Sequence, residues 1–214
     1  GASKGEGLGN KFLANIRECD AIVHVVRCFD DENIIHVDGS VDPLRDIDVI
    51  SLELVLSDLG QVERRLEKAK KDKKTDPIEV AALETLVPLL DEGQPARAAS
   101  LSDDEWAAVK PLGLLSAKRM IYATNVLDSD LADGGNAYVE EVRKRAAGEG
   151  AAVVGVSAQV ESELVDREAA ERGEFLESLG VESGESGLDK LIRAVYGLLE
   201  LRTHFTSAET ETPA

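Results

Sequence analysis

A short apolar run that ends in polar side chains constrains the fold of this chain more than any other feature of its sequence. Residues 120–123 are apolar and include β-forming types, as expected of a strand that helices cover on both faces. Asn125 and Asp128 follow this run at positions i and i+3. In an open α/β sheet, ligands bind in the crevice beyond the carboxyl ends of the strands. The sequence therefore predicts an α/β fold in which these two polar residues lie at a ligand-facing edge.

The two polar residues suit the edge of a nucleobase. An amide offers both hydrogen-bond donors and an acceptor, whereas a carboxylate accepts from ring or exocyclic N–H groups. A second predicted strand at 151–156 ends in Ser157 and Ala158, whose small side chains let backbone N–H groups approach a ring closely. Asn and Asp are also common turn formers after a strand. From the residues alone, both a base-binding role and a turn role stay open for Asn125 and Asp128.

A further predicted strand lies at 21–29. The sequence between it and the strand at 120–123 contains the pattern of two paired helices. Asp42 and Pro43 supply an N-cap and a first helical residue. Apolar residues then recur at alternating spacings of three and four, typical of a coiled-coil seam: Leu52, Val55, Leu59, Val62, Leu66 and Ala69. Asp76 and Pro77 begin a second helix, and its matching apolar stripe is Leu83, Leu86 and Leu90. We predict an α-helical hairpin inserted in the α/β domain.

The turn of this predicted hairpin carries a basic cluster on an acidic protein. The cluster, called the lysine tip below, comprises Lys68, Lys70, Lys71, Lys73 and Lys74. It is a candidate contact for a phosphate backbone or another partner, although a solvated turn with cations near a helix C-terminus has the same composition. The net charge of −18 opposes a nonspecific coat of phosphate contacts elsewhere on the surface. We expect no sequence-specific DNA binding.

Cysteine usage and hydropathy restrict the remaining classes of protein. Cys19 and Cys28 lie in apolar segments without metal-ligand spacing, which predicts reduced core residues in a cytoplasmic setting and no metal site. No apolar run approaches the length that spans a bilayer, so we expect no membrane partner. The polar stretch 207–214 predicts a frayed tail.

Several segments together resemble the YchF family of Obg-related P-loop NTPases. The similar parts are the glycine-rich segment 1–13, the segment 36–46, and the strand ends at Asn125 and Ser157-Ala158. The resemblance implies a partial Ras-like G domain in two parts, at 1–42 and 116–206, with a helical coiled-coil insertion at 43–115. It also implies ATP or GTP as the ligand and association with the ribosome.

The resemblance assigns roles to individual residues as well. The family changes the usual guanine-reading motif, Asn-Lys-x-Asp, to Asn-x-x-Glu. Asn125 matches its asparagine and Val126 the next position, where guanine readers have a lysine. Asp128 departs from the family's glutamate and matches the carboxylate of the guanine readers. Ser157 and Ala158 match the fifth nucleotide-binding motif, whose backbone meets the base. These five residues form the implied base site.

The same resemblance places the phosphate-binding and Mg²⁺-binding motifs before Gly1, and a TGS domain after the last residues. We therefore expect an internal fragment that is inactive alone and has no catalytic residue, although the complete protein would use Mg²⁺. Two hypotheses remain open. One is an ATP- or GTP-hydrolysing regulator near the ribosome. The other is a non-enzymatic module whose helical arm docks on a ribosomal or protein partner.

Overall fold

The computed structural model describes residues 7–31, 33–34, 39–181 and 184–201. The strands are β1 (Ala21–Arg27), β2 (Arg119–Asn125) and β3 (Ala152–Val156). The helices are α1 (Gly7–Arg17), α2 (Pro43–Lys71), α3 (Pro77–Asp91), α4 (Asp103–Val109), α5 (Ala137–Glu149), α6 (Ala158–Val165), α7 (Ala169–Ser178) and α8 (Gly187–Leu198). The segment 1–6, part of the segment 36–46 and the tail 207–214 lie outside the described residues.

The three strands form a parallel sheet in the order β1-β2-β3, with β2 in the centre. Arg27 of β1 pairs with Asn125 of β2, and Asn125 pairs with Val156 of β3. The carboxyl ends of all three strands therefore meet at one edge. Residues 120–124 of β2 are buried, as expected of a central strand covered on both faces. The predicted α/β fold is confirmed.

The two faces of the sheet are covered unequally. On one face, α2 and α5 pack against a core that contains Val26 and Tyr122. On the other face, α8 contacts β2 and β3, and Ile121 of β2 is fully buried. On that same face of β1, Val23 and Val25 stay 37% and 63% exposed. An apolar surface on β1 is thus left uncovered by the described elements.

The two long helices pair as a hairpin, called the arm below. Asp42 accepts a hydrogen bond from the backbone N–H of Arg45 and Asp76 from that of Ile78, so each helix starts at its predicted cap. The apolar core between the helices includes Val55, Val62, Ala69, Ala82, Leu83, Leu86 and Leu90. Among these residues are Val55, Val62 and Ala69 of the predicted seam and all three residues of the predicted stripe of α3.

Leu52 was predicted to start the seam but is 48% exposed. The reason is the unequal length of the helices: α2 has 29 residues and α3 only 15. Because α3 ends at Asp91, Leu52 faces the turn at Gly93 and has no helix to pack against. A similar correction applies to Cys19, which is exposed in the turn after α1, whereas Cys28 is a buried core residue as predicted.

The first turns of α2 pack with the sheet and not with α3. Ile47 and Leu54 are buried in the same core as Val26 and Tyr122. Val55 is the first α2 residue in the core of the arm. The part of α2 before Val55 therefore stabilises the α/β layer, and the arm has its own core beyond that point.

A buried carboxylate, that of Asp58, joins the arm to the α/β layer. Asp58 is 0% exposed and accepts hydrogen bonds from the backbone N–H groups of Leu115 (2.9 Å) and Ser116 (2.7 Å) and from Ser116 Oγ (2.7 Å). Its other partner is the guanidinium of Arg17 in α1, with Nη1 at 2.8 Å. Ser57 reinforces the joint, since Arg17 Nη2 donates to its Oγ at 2.8 Å. One carboxylate thus holds α1, α2 and the segment that enters β2.

We predict that Asp58→Asn lowers the free energy of unfolding by about 3 kcal/mol or more, a typical cost of removing one partner of a buried ion pair. The amide nitrogen of asparagine would face donors only, so at least one buried donor loses its acceptor. Urea unfolding followed by circular dichroism measures the loss. Glu63→Gln on the exposed surface of α2 is the matched control and should change stability little. An unchanged midpoint for Asp58→Asn would show that this joint is dispensable.

A second prediction concerns the modularity of the arm. Replacing residues 61–111 by a short Gly-Ser linker should leave cooperative unfolding intact, because most of the arm's core lies within the replaced segment and Asp58 still bonds Leu115. Deleting 43–115 should abolish cooperative unfolding, because it also removes Ile47, Leu54 and Asp58. Equal behaviour of the two deletions in a urea titration would contradict this division of α2.

Candidate functional site

The carboxyl edge of the sheet brings together the polar residues predicted from the sequence. Asn125 is the last residue of β2, Ser157 follows β3 as the N-cap of α6, and Ala158 is the first residue of that helix. Asn125 Oδ1 accepts a hydrogen bond from the backbone N–H of Ala158 at 2.9 Å. The backbone N–H of Val126 donates to the carbonyl of Val156, also at 2.9 Å. The two strand ends are therefore tied together.

The five residues of the implied base site differ in what they present to solvent. Val126 and Ser157 are buried, Asn125 is half-buried, and Asp128 and Ala158 are exposed. The side chain of Val126 belongs to the core of the α/β layer, so this residue offers the edge only its backbone. Ser157 Oγ accepts from the backbone N–H of Val160 and caps α6. The side chains that face outward with polar groups are those of Asn125 and Asp128.

The exposed carboxylate of Asp128 lies at the start of a short 3-10 turn, Asp128–Asp130. Its Oδ1 accepts from the backbone N–H of Ser129 at 2.8 Å, which orients the carboxylate. Among the residues that the structure describes, Asn125 Nδ2 has no hydrogen-bond partner. The edge thus combines a free amide donor, oriented through its own oxygen, with an oriented acceptor. This pair of groups is suited to a ring that carries both acceptors and N–H donors.

The backbone of Cys28 supports the site from the end of β1. Its N–H donates to the carbonyl of Asn125 at 2.8 Å. Its carbonyl accepts from Asn136 Nδ2 at 2.7 Å. Burial, aided by the charge of Glu141, raises the pKa of the Cys28 thiol to about 12. The thiol is therefore protonated at neutral pH, and Cys28 is a structural residue and not a nucleophile.

Two residues hold these loops in a way that the sequence did not predict, Asn136 and Arg27. Asn136 precedes α5, and an asparagine before a helix is a recognisable N-cap signal, but nothing in the sequence indicates its contact with a carbonyl 108 positions away. Arg27 at the end of β1 donates to three carbonyls of the segment that follows, those of Phe29 (3.0 Å), Asp31 (3.3 Å) and Ile34 (3.1 Å). A lone arginine at a strand end carries no such signal.

A polar network links the segment after α3 to the middle of β2. Glu149 of α5 accepts from Tyr122 Oη of β2 at 2.8 Å and from Arg97 Nη2, after α3, at 3.2 Å. Although burial opposes it, hydrogen bonds from Arg145 and Tyr122 hold the pKa of Glu149 below its usual value. Burial and the bond to Glu149 raise the pKa of Tyr122. Glu149 is therefore charged and Tyr122 neutral at physiological pH.

The lysine tip lies at the far end of α2, a helix about 40 Å long at 1.5 Å per residue. Its five lysines are all exposed. Lys70 is paired with Glu84 of α3, with 2.7 Å between Nζ and Oε1. Within the described ranges, the structure shows no ion pair for Lys68, Lys71, Lys73 or Lys74. The tip therefore presents four cations that are free to meet a partner.

Metal binding and membrane insertion have no support in the described part of the chain. No three His, Cys, Asp or Glu side chains within it are grouped so as to hold a metal ion. No helix in the same residues combines the length and the apolar character that crossing a membrane requires.

Comparison with known proteins shows similarity along the whole chain. No protein-family model matches it. The chain is 47% identical over 219 residues to the Ribosome-binding ATPase YchF of Bacillus subtilis, and the match covers 100% of this chain and 59% of that protein. The Obg-like ATPase 1 of Caenorhabditis elegans is 34% identical over 221 residues, and the match covers 55% of its length.

The fold leads to the same group of proteins. The solved structure of the Schizosaccharomyces pombe YchF GTPase superposes with a TM-score of 0.76 at 34% identity. The match covers 93% of this chain and 55% of the chain of that structure. The chain thus spans between half and two thirds of the length of these relatives. Similarity of sequence over the whole chain, together with the shared fold, shows that the chain belongs to the YchF family.

Proposed function

We propose that this chain supplies the base-reading edge and the helical arm of a longer, ribosome-associated nucleoside triphosphatase. The longer protein, of the length of the relatives, is called the full-length protein below. The geometry of Asn125 carries the proposal: its Oδ1 is held by the backbone N–H of Ala158, which leaves Nδ2 available to a ligand. The names of the relatives, a ribosome-binding ATPase and a GTPase, support the activity and the partner. A protein that binds ribosomes works in the cytoplasm.

Base recognition divides between the two outward-facing side chains. Asn125 Nδ2 donates to a ring nitrogen, a group that adenine and guanine share. The carboxylate of Asp128 accepts from an exocyclic amino group or a ring N–H, so it distinguishes one purine from another. Ala158 contributes by fixing the orientation of the Asn125 amide through its backbone N–H, and Ser157 caps the helix that begins at Ala158. Val126 contributes no charge, because its apolar side chain is buried where the guanine-reading pattern has a lysine.

Hydrolysis needs groups beyond this edge. Phosphoryl transfer relies on electrostatic stabilisation of the phosphates by a P-loop lysine and by Mg²⁺. We propose that the parts of the full-length protein outside this chain hold the phosphates and Mg²⁺. These 214 residues alone would then bind nucleotide weakly and would not hydrolyse it. Different parts of the full-length protein then select the base and bind the phosphates.

A second function, docking through the arm without nucleotide chemistry, is favoured by the lysine tip. Four exposed lysines without ion pairs among the described residues lie at the far end of α2, on a protein of net charge −18. The end of α2 is about 25 Å beyond Leu54, which is buried in the core of the sheet. A ribosome offers a dense array of phosphates that such a cluster attracts at short range. We propose that the tip is the part of the arm that meets the ribosome.

For the base site, we predict that the full-length protein binds ATP at least as tightly as GTP, because no lysine supports a guanine contact at Val126. Asp128→Glu restores the residue of the family motif and should shift the ratio of the two dissociation constants toward ATP. Asn125→Ala should weaken both nucleotides about tenfold, the value of one or two hydrogen bonds. Competition titration with a fluorescent nucleotide measures all three effects.

The matched control is Asp133→Glu, which makes the same chemical change at another exposed position of the same loop. It should leave the ratio unchanged. A preference of tenfold or more for GTP in the unaltered protein would contradict the assigned base preference. Full affinity in Asn125→Ala would contradict the site itself.

For the arm, we predict that Lys71→Glu, Lys73→Glu and Lys74→Glu combined weaken binding to ribosomes about tenfold or more at low salt, with a smaller difference at high salt. Lys70 is left unchanged because it pairs with Glu84. Co-sedimentation with purified ribosomes measures the change. The control combines Lys11→Glu, Lys144→Glu and Lys190→Glu, which alter the net charge equally on the α/β layer. Equal loss in the two triple variants would show a general charge effect and not a docking site.

A further inference from the structure

One amide side chain, that of Asn136, connects three elements around the base-reading edge. Its Nδ2 donates to the carbonyl of Cys28, after β1, at 2.7 Å and to Oδ2 of Asp130, after β2, at 2.8 Å. Its Oδ1 accepts from the backbone N–H of Val139 in the first turn of α5 at 3.2 Å. Both amide hydrogens and the oxygen are therefore used, each on a different element.

The loop between β2 and α5 is closed on itself by its own backbone. The N–H of Gly135 donates to the carbonyl of Asp130 at 2.9 Å, and the N–H of Leu131 donates to the carbonyl of Asp128 at 3.1 Å. Asp128 and Asp130 are the first and last residues of one 3-10 turn. Because a 3-10 turn has about three residues per turn, the position of Asp130 fixes that of Asp128. The hydrogen bond from Asn136 to the Asp130 carboxylate therefore also restrains the position of Asp128.

The other hydrogen bond of Asn136 Nδ2 is to Cys28, which in turn supports Asn125. The N–H of Cys28 donates to the carbonyl of Asn125 at 2.8 Å, while the carbonyl of Cys28 accepts from Asn136. Asn136 therefore connects the support of Asn125 directly to the turn that carries Asp128. The distance between the amide donor and the carboxylate acceptor of the site depends on this connection.

We propose that Asn136 is a positioning residue for base selection: it sets the spacing between Asn125 and Asp128 without touching the base. This inference rests on the proposed function, because it assigns a supporting role to the same site. It predicts that a change at Asn136 alters the recognition of the base and leaves the hold on ribose and phosphates unchanged.

A purely structural role, as the cap of α5, makes a different prediction. Aspartate and serine cap helices about as well as asparagine, so Asn136→Asp and Asn136→Ser both keep the bond to Val139. Neither side chain offers the two N–H donors that reach Cys28 and Asp130. If Asn136 were only a cap, both variants would bind nucleotide like the unaltered protein.

The experiment measures dissociation constants for ATP, GTP and UTP in the full-length protein and in both variants. UTP has the same ribose and triphosphate but a pyrimidine base, so the ratio of its constant to that of the preferred purine isolates base recognition. We expect this ratio to fall fivefold or more in both variants, with UTP affinity unchanged and cooperative urea unfolding retained. The exchange variant Asp130→Asn/Asn136→Asp restores the donor–acceptor pair between positions 130 and 136 and should recover about half of the loss on a logarithmic scale.

A ratio equal to that of the unaltered protein in Asn136→Ser would overturn the inference, and so would an equal loss of affinity for UTP and purine. Asn136→Ser keeps the test decisive if the two carboxylates of Asn136→Asp and Asp130 repel strongly enough to prevent folding. Absence of nucleotide binding by the unaltered full-length protein would be a separate result, which overturns the proposed function itself.

Discussion

The structure depends on one buried carboxylate, that of Asp58, which lies where the arm, α1 and the segment leading into β2 meet. A charge without solvent is tolerated only when it is paired and fully hydrogen-bonded. Asp58 satisfies this condition with two backbone N–H groups, one hydroxyl and the guanidinium of Arg17. The donors belong to α1 and to the adjacent residues Leu115 and Ser116, so the carboxylate fixes these two segments relative to α2. The first residue of β2, Arg119, follows this joint by three positions.

The site at the other end of β2 follows from that starting point and from the register of the sheet. β2 runs for seven residues from Arg119 to Asn125, and parallel pairing aligns its last residue with Arg27 and Val156. The aligned ends bring the backbone of Cys28 and the N-terminus of α6 to within a hydrogen bond of Asn125. The Asn125 amide is consequently oriented by the protein before any ligand arrives. Such preorganisation lowers the entropic cost of binding a base.

Local signals in the sequence were sufficient for the elements and for the edge of the sheet. The pairs Asp42-Pro43 and Asp76-Pro77 mark the starts of α2 and α3 because capping and the fixed backbone angle of proline act within a few residues. The apolar run at 120–123 marks the central strand for a similar reason, since burial on both faces excludes polar residues.

Contacts between distant segments were beyond such signals. Asp58 lies in the middle of a helix whose sequence is already rich in charge, and its partners are 41, 57 and 58 positions away. Asn136 reads as a cap, but its bond to Cys28 spans 108 positions. Leu52 is exposed because α3 ends at Asp91, and the apolar spacing along α2 does not indicate where α3 ends. The polar groups that hold the site together were therefore visible only in the folded chain.

In the proposed function, this edge of the sheet meets the base and the phosphates are held elsewhere in the full-length protein. Amide hydrogen exchange of the full-length protein with and without nucleotide tests it most directly, with attention to residues 125–131 and to Ala158, whose N–H is bonded to Asn125. We expect ATP to slow exchange at these positions well beyond the effect of UTP at equal saturation, while exchange at the lysine tip stays unchanged. Equal protection by ATP and UTP, or none in this loop at full occupancy, would contradict it.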